Sequence, residues 1–234
     1  MKKIYILLVG AMALFSACHD PEYVLPTADH QGFTSLTAIF TSGPFVGQEM
    51  AKLNISENET SDRYIIQVPW YYPETSDNET AQYMTNVRVR AELQPNCTIE
   101  PGLGILDLTQ DNYFTYTNAQ GVQREICITG ERVKSNKCEL VAFNIVEPVI
   151  AGVVNKNTRK ISLISSDDLS ACLAEAQLSP HATISPDPSI DPINYNVPME
   201  FTVTAHNGVD KTVYTVVKEV PDKISKGFNA NHTE

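Results

Sequence analysis

The sequence predicts an all-β protein built as two tandem β-sandwich modules, and three observations predict it. Two stretches of the chain repeat one another in the same order. Apolar and polar residues alternate in short runs bounded by Pro, Gly, Asn and Asp. No segment sustains a helical period, and a chain of 234 residues suits one large domain or two of ordinary domain size.

The repeat is seen most clearly where residues 84–101 align without gaps on residues 169–186. Ala91, Leu93, Pro95, Thr98, Ile99 and Pro101 recur as Ala176, Leu178, Pro180, Thr183, Ile184 and Pro186. Residues 114–124 then match 201–211, sharing Phe, two Thr, Gly and Val, and Leu36-Thr-Ala-Ile and Leu140-Val-Ala-Phe open the two copies. The second block reads as a hairpin: β-rich runs flank Asn207-Gly208, the dipeptide that best accepts positive φ in a tight turn, and Gly121 takes that place in copy one. Strands are expected at residues 33–40, 64–69, 87–93 and 160–164. Residues 168–177 are rich in alanine and admit a helix, but the aligned Val87-Arg-Val-Arg favours a strand. The run Leu-x-Pro to Thr-Ile-x-Pro should lead one strand into the next.

The N-terminus carries Lys2 and Lys3, an apolar run from Ile4 to Phe15, and Ser16-Ala17 before Cys18, the pattern of an export signal. The run is shorter than the roughly 20 residues that span a bilayer. Residues 14–18 resemble the lipobox of bacterial lipoproteins, with Phe15 where Leu or Val is usual; the resemblance implies acylation of Cys18. His19-Asp20-Pro21-Glu22 resembles the signal of Bacteroidota lipoproteins bound for the outer surface. The expected division is a signal peptide at 1–17, a lipidated tether at 18–32, modules at 33–133 and 134–222, and a tail at 223–234. The tail reads as a linker into a further domain or as a frayed end.

Charge narrows the partners. The chain carries −11, and loss of the signal leaves 15 basic against 28 acidic side chains, or −13. Such acidity opposes nucleic acid and anionic lipid, leaving the lipid anchor as the membrane contact. Of the remaining cysteines, Cys97, Cys127, Cys138 and Cys172, none has zinc-site spacing; export permits a Cys97–Cys127 bridge, and the plainer reading is small buried apolar residues.

Catalytic constellations are missing from the sequence: His19, His30, His181, His206 and His232 are scattered, and no nucleophile elbow, His-Glu-x-x-His or phosphate-binding glycine loop occurs. The expectation is a non-enzyme without cofactor or metal. Asp167-Asp168 and the Pro-rich 185–192 segment read as solvated loops rather than a calcium site. One segment has functional character: Val68-Pro-Trp-Tyr-Tyr-Pro73 and the polar stretch after it, which copy two shortens to Ser165-Ser-Asp-Asp. Trp70, Tyr71 and Tyr72 can offer ring faces to sugar C–H bonds, with Asp77 and Asn78 taking hydroxyls; equally, the rings can pack inside the protein.

Copy two, with Leu178 to Pro180, Thr183 to Pro186, Phe201 to Gly208 and Tyr214 to Val216, resembles the small immunoglobulin-like modules of Bacteroidota surface lipoproteins, a family of unknown function. Copy one keeps the frame but departs at Asn118-Ala-Gln-Gly and Glu125-Ile-Cys-Ile. The resemblance implies tandem immunoglobulin-like sandwiches on the outer membrane, facing the exterior, often beside glycan-uptake systems. The expected function is a monomeric surface module binding glycan or a surface protein. The alternatives are a structural spacer presenting a further domain and an adhesion or fimbria-like module.

Overall fold

The computed structural model describes residues 33–56 and 61–221. The expected signal peptide, Cys18, the expected tether and the expected tail lie outside the described residues. The described chain is all-β, with single 3-10 turns at Gly43–Phe45 and Thr80–Tyr83 as its helical segments. The described residues divide into two compact units, those up to 66 with 85–129, and 67–84 with those from 130 onward.

The first unit is built on β1 (Phe33–Phe40), β2 (Glu49–Asn54), β3 (Arg63–Pro69), β4 (Val87–Leu93), β5 (Thr98–Glu100), β6 (Ile105–Leu106), β7 (Asn112–Thr117) and β8 (Gln123–Val133). The last residues of β3 and β8 belong to the second unit. One sheet has the order β2-β1-β4-β6 and the other β3-β8-β7-β5. Pairing of Leu36 with Ala91, Ala38 with Val89 and Phe40 with Val87 lines the apolar side chains of β1 and β4 on one buried face. The second sheet buries Tyr64, Ile66, Phe114, Tyr116, Ile126 and Ile128, while Thr115 and Glu125 between them face water.

The second unit repeats that plan with β9 (Leu140–Ile145), β10 (Ile150–Ala151), β11 (Val153–Asn155), β12 (Lys160–Ile164), β13 (Ala174–Leu178), β14 (Thr183–Ser185), β15 (Met199–Thr204) and β16 (Lys211–Glu219). Its sheets are β10-β9-β13 and β11-β12-β16-β15-β14. The order β12-β16-β15-β14 thus matches β3-β8-β7-β5 strand for strand, and β9 with β13 matches β1 with β4. A single core joins both sheets: Leu140, Phe143 and Ile145 from one, Ile161, Leu163, Phe201, Val203, Tyr214 and Val216 from the other.

Three local features make this arrangement possible. Phe201 pairs with Tyr214 in the β15–β16 hairpin, whose turn carries Gly208 at φ 74°, and Gly121 takes φ 80° in copy one; both are conformations glycine adopts without a Cβ clash. The connections β4 to β5 and β13 to β14 pass from one sheet to the other through aligned left-handed residues, Asn96 (φ 63°) and His181 (φ 59°). Gly152 lies where β10 leaves one sheet and β11 joins the other; a Cβ there would sit 2.6 Å from the Phe143 carbonyl oxygen. Residues 174–178 form β13 rather than the helix their alanines admit, because antiparallel pairing with β9 buries Ala174 against the core.

Tyr195 fills the centre of that core, edge-on to Phe143 at 5.9 Å and 6.3 Å from Phe201. Its hydroxyl is buried and has no hydrogen-bond partner among the described residues, and burial pushes its pKa well up. A buried donor without an acceptor costs about 1–3 kcal/mol. Tyr195→Phe should therefore hold or raise stability by about 1 kcal/mol in urea unfolding; a loss of that size would mean the hydroxyl is bonded.

Candidate functional site

The segment between β3 and β4, Trp70 to Met84, is a folded loop held by its own hydrogen bonds. Tyr71 bridges Glu79. The Tyr72 amide donates to the Asn78 carbonyl, and the Asn78 side-chain amide donates back to the Tyr72 carbonyl, both at 3.0 Å. Asn78 Oδ1 also accepts from Gln82 at 3.0 Å. Thr80 is fully buried and donates its hydroxyl to the Pro69 carbonyl at 2.6 Å, while its amide donates to the Trp70 carbonyl. Asn78 and Thr80 are small polar residues whose side chains replace backbone partners, which is how such residues shape turns.

Within the second unit the loop's rings meet two histidines. Tyr71 stacks on His181 at 4.1 Å and on His206 at 5.4 Å, and the two imidazoles are 5.3 Å apart. Trp70 meets His206 edge-on at 6.2 Å. The Arg132 guanidinium lies 3.8 Å over the Trp70 ring and the Lys134 ammonium 5.0 Å from it, contacts worth about 0.5–2 kcal/mol. Arg132 also donates to the Trp70 carbonyl at 3.2 Å and to Glu79 at 2.8 Å. His181 Nε2 is 3.1 Å from the carbonyl oxygens of both Glu74 and Ser76; facing two acceptors, it carries the proton.

The sequence-predicted platform is therefore distributed. Trp70 and Tyr71 are half-buried and stacked on Arg132 and the histidines, Tyr72 is half-buried, Asn78 is used within the loop, and Asp77 is exposed. Sequence reasoning missed His181, His206, Arg132 and Lys134. His181 contacts Glu74 and Ser76 across more than a hundred positions, and no spacing rule reaches that far.

Beside the loop, Glu74 accepts an ion pair from Lys137 at 2.6 Å. Lys137 lines a cleft of about 310 Å³ with Asn136, Glu139, Lys156, Arg159 and Thr212. Lys156 pairs with Glu139 at 2.7 Å, which holds the Glu139 carboxyl below its ordinary range and raises the ammonium. Arg159 occupies the β11–β12 turn at φ 56°, and its carbonyl accepts from the Thr215 amide at 2.9 Å. For a side chain with a Cβ this conformation costs about 1–2 kcal/mol. Among the described residues no carboxylate lies within ion-pair distance of its guanidinium, which is also true of Arg88 and Arg90, whereas Arg63, Arg124 and Arg132 are paired.

Among the described residues the four cysteines, Cys97, Cys127, Cys138 and Cys172, are separate thiols, and the Cys97–Cys127 bridge that export would allow is not present. β5 and β8 flank β7 on opposite sides, with Thr98 opposite Thr117 but Cys127 opposite Tyr113. That places the pair far beyond the roughly 6 Å Cα spacing a bridge needs. Cys97 receives the Tyr116 hydroxyl at 3.1 Å, and Cys127 lies 3.4 Å from Arg63 Nη1, its thiol pushed up by burial and by Asp111.

Residues 13–130 match the family model of a domain of unknown function, DUF5018. The chain belongs to the DUF5018 family. Beyond the DUF5018 segment, residues 140–218 match a second domain of unknown function, DUF8499. No protein with a curated description matches. Among solved structures, a Bacteroides thetaiotaomicron protein named as a candidate glycoside hydrolase is 26% identical, with a TM-score of 0.32 over 38% of this chain and 26% of its own. A DUF4623 family protein from Bacteroides eggerthii is 22% identical, with a TM-score of 0.28 over 36% of this chain and 22% of its own. The chain thus spans about a quarter of each, and neither likeness bears on its function.

The His206 pKa is lowered, first by burial and then by Lys134 and His181. A depressed folded pKa means that the stability carried by neutral His206 is fully present above the ordinary histidine value, about 6.5, and is lost as pH falls through the folded value. Urea midpoints should therefore fall between pH 7.5 and 5.5, and His206→Gln should flatten that dependence; an unchanged slope in the variant would mean that His206 is not the group responsible.

Proposed function

We propose that the chain is a non-catalytic, lipid-anchored surface module that binds glycan through the face carrying the 70–84 loop. The supporting observation is that this loop, which copy two lacks, is tied by its own hydrogen bonds and stands beside a polar cleft. A pre-ordered loop loses little conformational entropy on binding, which is what a capture site for a flexible polymer needs. Half-buried Tyr72, exposed Asp77 and the rims of Trp70 and Tyr71 supply the mixed apolar and polar contact that sugars take. The lipobox-like residues 14–18 and the acidic 19–22 segment support anchoring through Cys18 on an outer membrane of the Bacteroidota type, facing the exterior.

A spacer that presents another domain is the second reading, and one observation favours it: Arg132 covers a face of Trp70, so that ring serves packing. The two readings part on one variant. Trp70→Ala should weaken binding at least tenfold in affinity electrophoresis or calorimetry against a polysaccharide panel. A variant that lowers the unfolding temperature by several degrees while binding is unchanged or absent throughout supports the spacer.

Anchoring has its own test. Cells fed radiolabelled palmitate should label the wild-type chain in the membrane fraction, and Cys18→Ala should abolish the label; a labelled variant or an unlabelled wild type would remove the anchor from the reading.

A further inference from the structure

We propose that the cleft lined by Lys137, Lys156 and Arg159 is an anion subsite that takes the carboxylate or sulfate group of an acidic saccharide. The inference rests on the glycan-binding reading and names its ligand class. Three cations around about 310 Å³ stand out in a chain of net charge −11. The volume is at the small end of ligand clefts, suited to one charged sugar residue rather than a long apolar ligand.

The three cations are not equivalent. Lys137 and Lys156 are each paired with an exposed carboxylate, Glu74 and Glu139, and more than half of each ammonium side chain remains exposed, at 54% and 60%. Such pairs are weak and exchange readily for an incoming anion. Arg159 has no carboxylate partner among the described residues, and its planar fork is the group best shaped for a carboxylate or sulfate. It also holds a left-handed turn position where glycine would be relaxed, so the side chain is present at a cost to the backbone. An observed outlier of this kind points to a use for the guanidinium.

The other lining groups fit a sugar rather than a bare ion. Asn136 and the Thr212 hydroxyl can both donate and accept, and Glu139 accepts from sugar hydroxyls beside the charged group. The Lys137–Glu74 pair ties this cleft to the loop that carries Tyr71 and Tyr72, so a polymer seated by its charge would continue across the loop. The net charge of −11 opposes non-specific attraction of a polyanion to the chain as a whole.

Titration of the full chain with polymers that differ only in charge tests the inference. Polygalacturonate and dextran sulfate should bind at low ionic strength at least tenfold more tightly than methyl-esterified polygalacturonate and dextran, and salt should weaken both. Arg159→Gly removes the guanidinium while relaxing the turn, so its unfolding temperature should equal or exceed the parent's while affinity for the charged polymers falls at least tenfold. Lys156→Gln should lose part of that affinity. Equal binding of charged and uncharged polymers overturns the inference, as does parent-like binding by Arg159→Gly, or binding of inorganic sulfate without either polymer. If neutral polymers bind and only Trp70→Ala abolishes it, the acidic ligand is wrong and the glycan reading stands. If no polymer binds, both fail.

Discussion

Everything in each sandwich depends on the chain crossing from one sheet to the other within four residues, between β4 and β5 in copy one and between β13 and β14 in copy two. A strand exposes one apolar face, and a single sheet cannot hide it; the crossing supplies the opposing layer from the same segment. Crossing so quickly requires a backbone reversal, and the left-handed Asn96 and His181 provide it. Asn tolerates that conformation, and His is among the residue types found there more often than most. The residue type at this position is thus constrained twice, by the turn and by what its side chain then meets.

In copy two the second constraint produces the site. His181 leaves the turn with its ring against Tyr71 and its Nε2 proton shared between two loop carbonyls. Ordering a loop of this length opposes folding by about 1–2 kcal/mol per residue in backbone entropy. No single contact offsets that; the reciprocal Tyr72 and Asn78 bonds, the buried Thr80, the Arg132 stack and the histidine contacts act together. A network of this kind is cooperative, since losing one ring frees the partners of the others.

The fold could be read from the sequence because its signals are local or repeated. Alternation at Phe201 and Val203 against Thr202 and Thr204, Asn207-Gly208 in the turn, and the aligned Leu-x-Pro to Thr-Ile-x-Pro runs each state a geometry within a few residues. The 70–84 loop was visible as well, as an insertion in one copy. Its surroundings were not, because His181, His206 and Arg132 reach it through pairings between distant strands and look like isolated residues in one dimension. The thiols followed the same logic: Cys97 and Cys127 are compatible with a bridge by count and compartment, and only strand register separates them.

Arg132 and Arg159 make the final distinction on this side of the second unit. Arg132 spends its guanidinium on the Trp70 ring, the Trp70 carbonyl and Glu79, and its side chain is 16% exposed; it is part of the packing. Arg159 is exposed, sits on a strained backbone and makes no such set of bonds among the described residues. Folding alone explains the first and gives no reason for the second, since glycine would serve the turn better. The Arg159 side chain thus stands at a backbone cost that no ion pair among the described residues offsets.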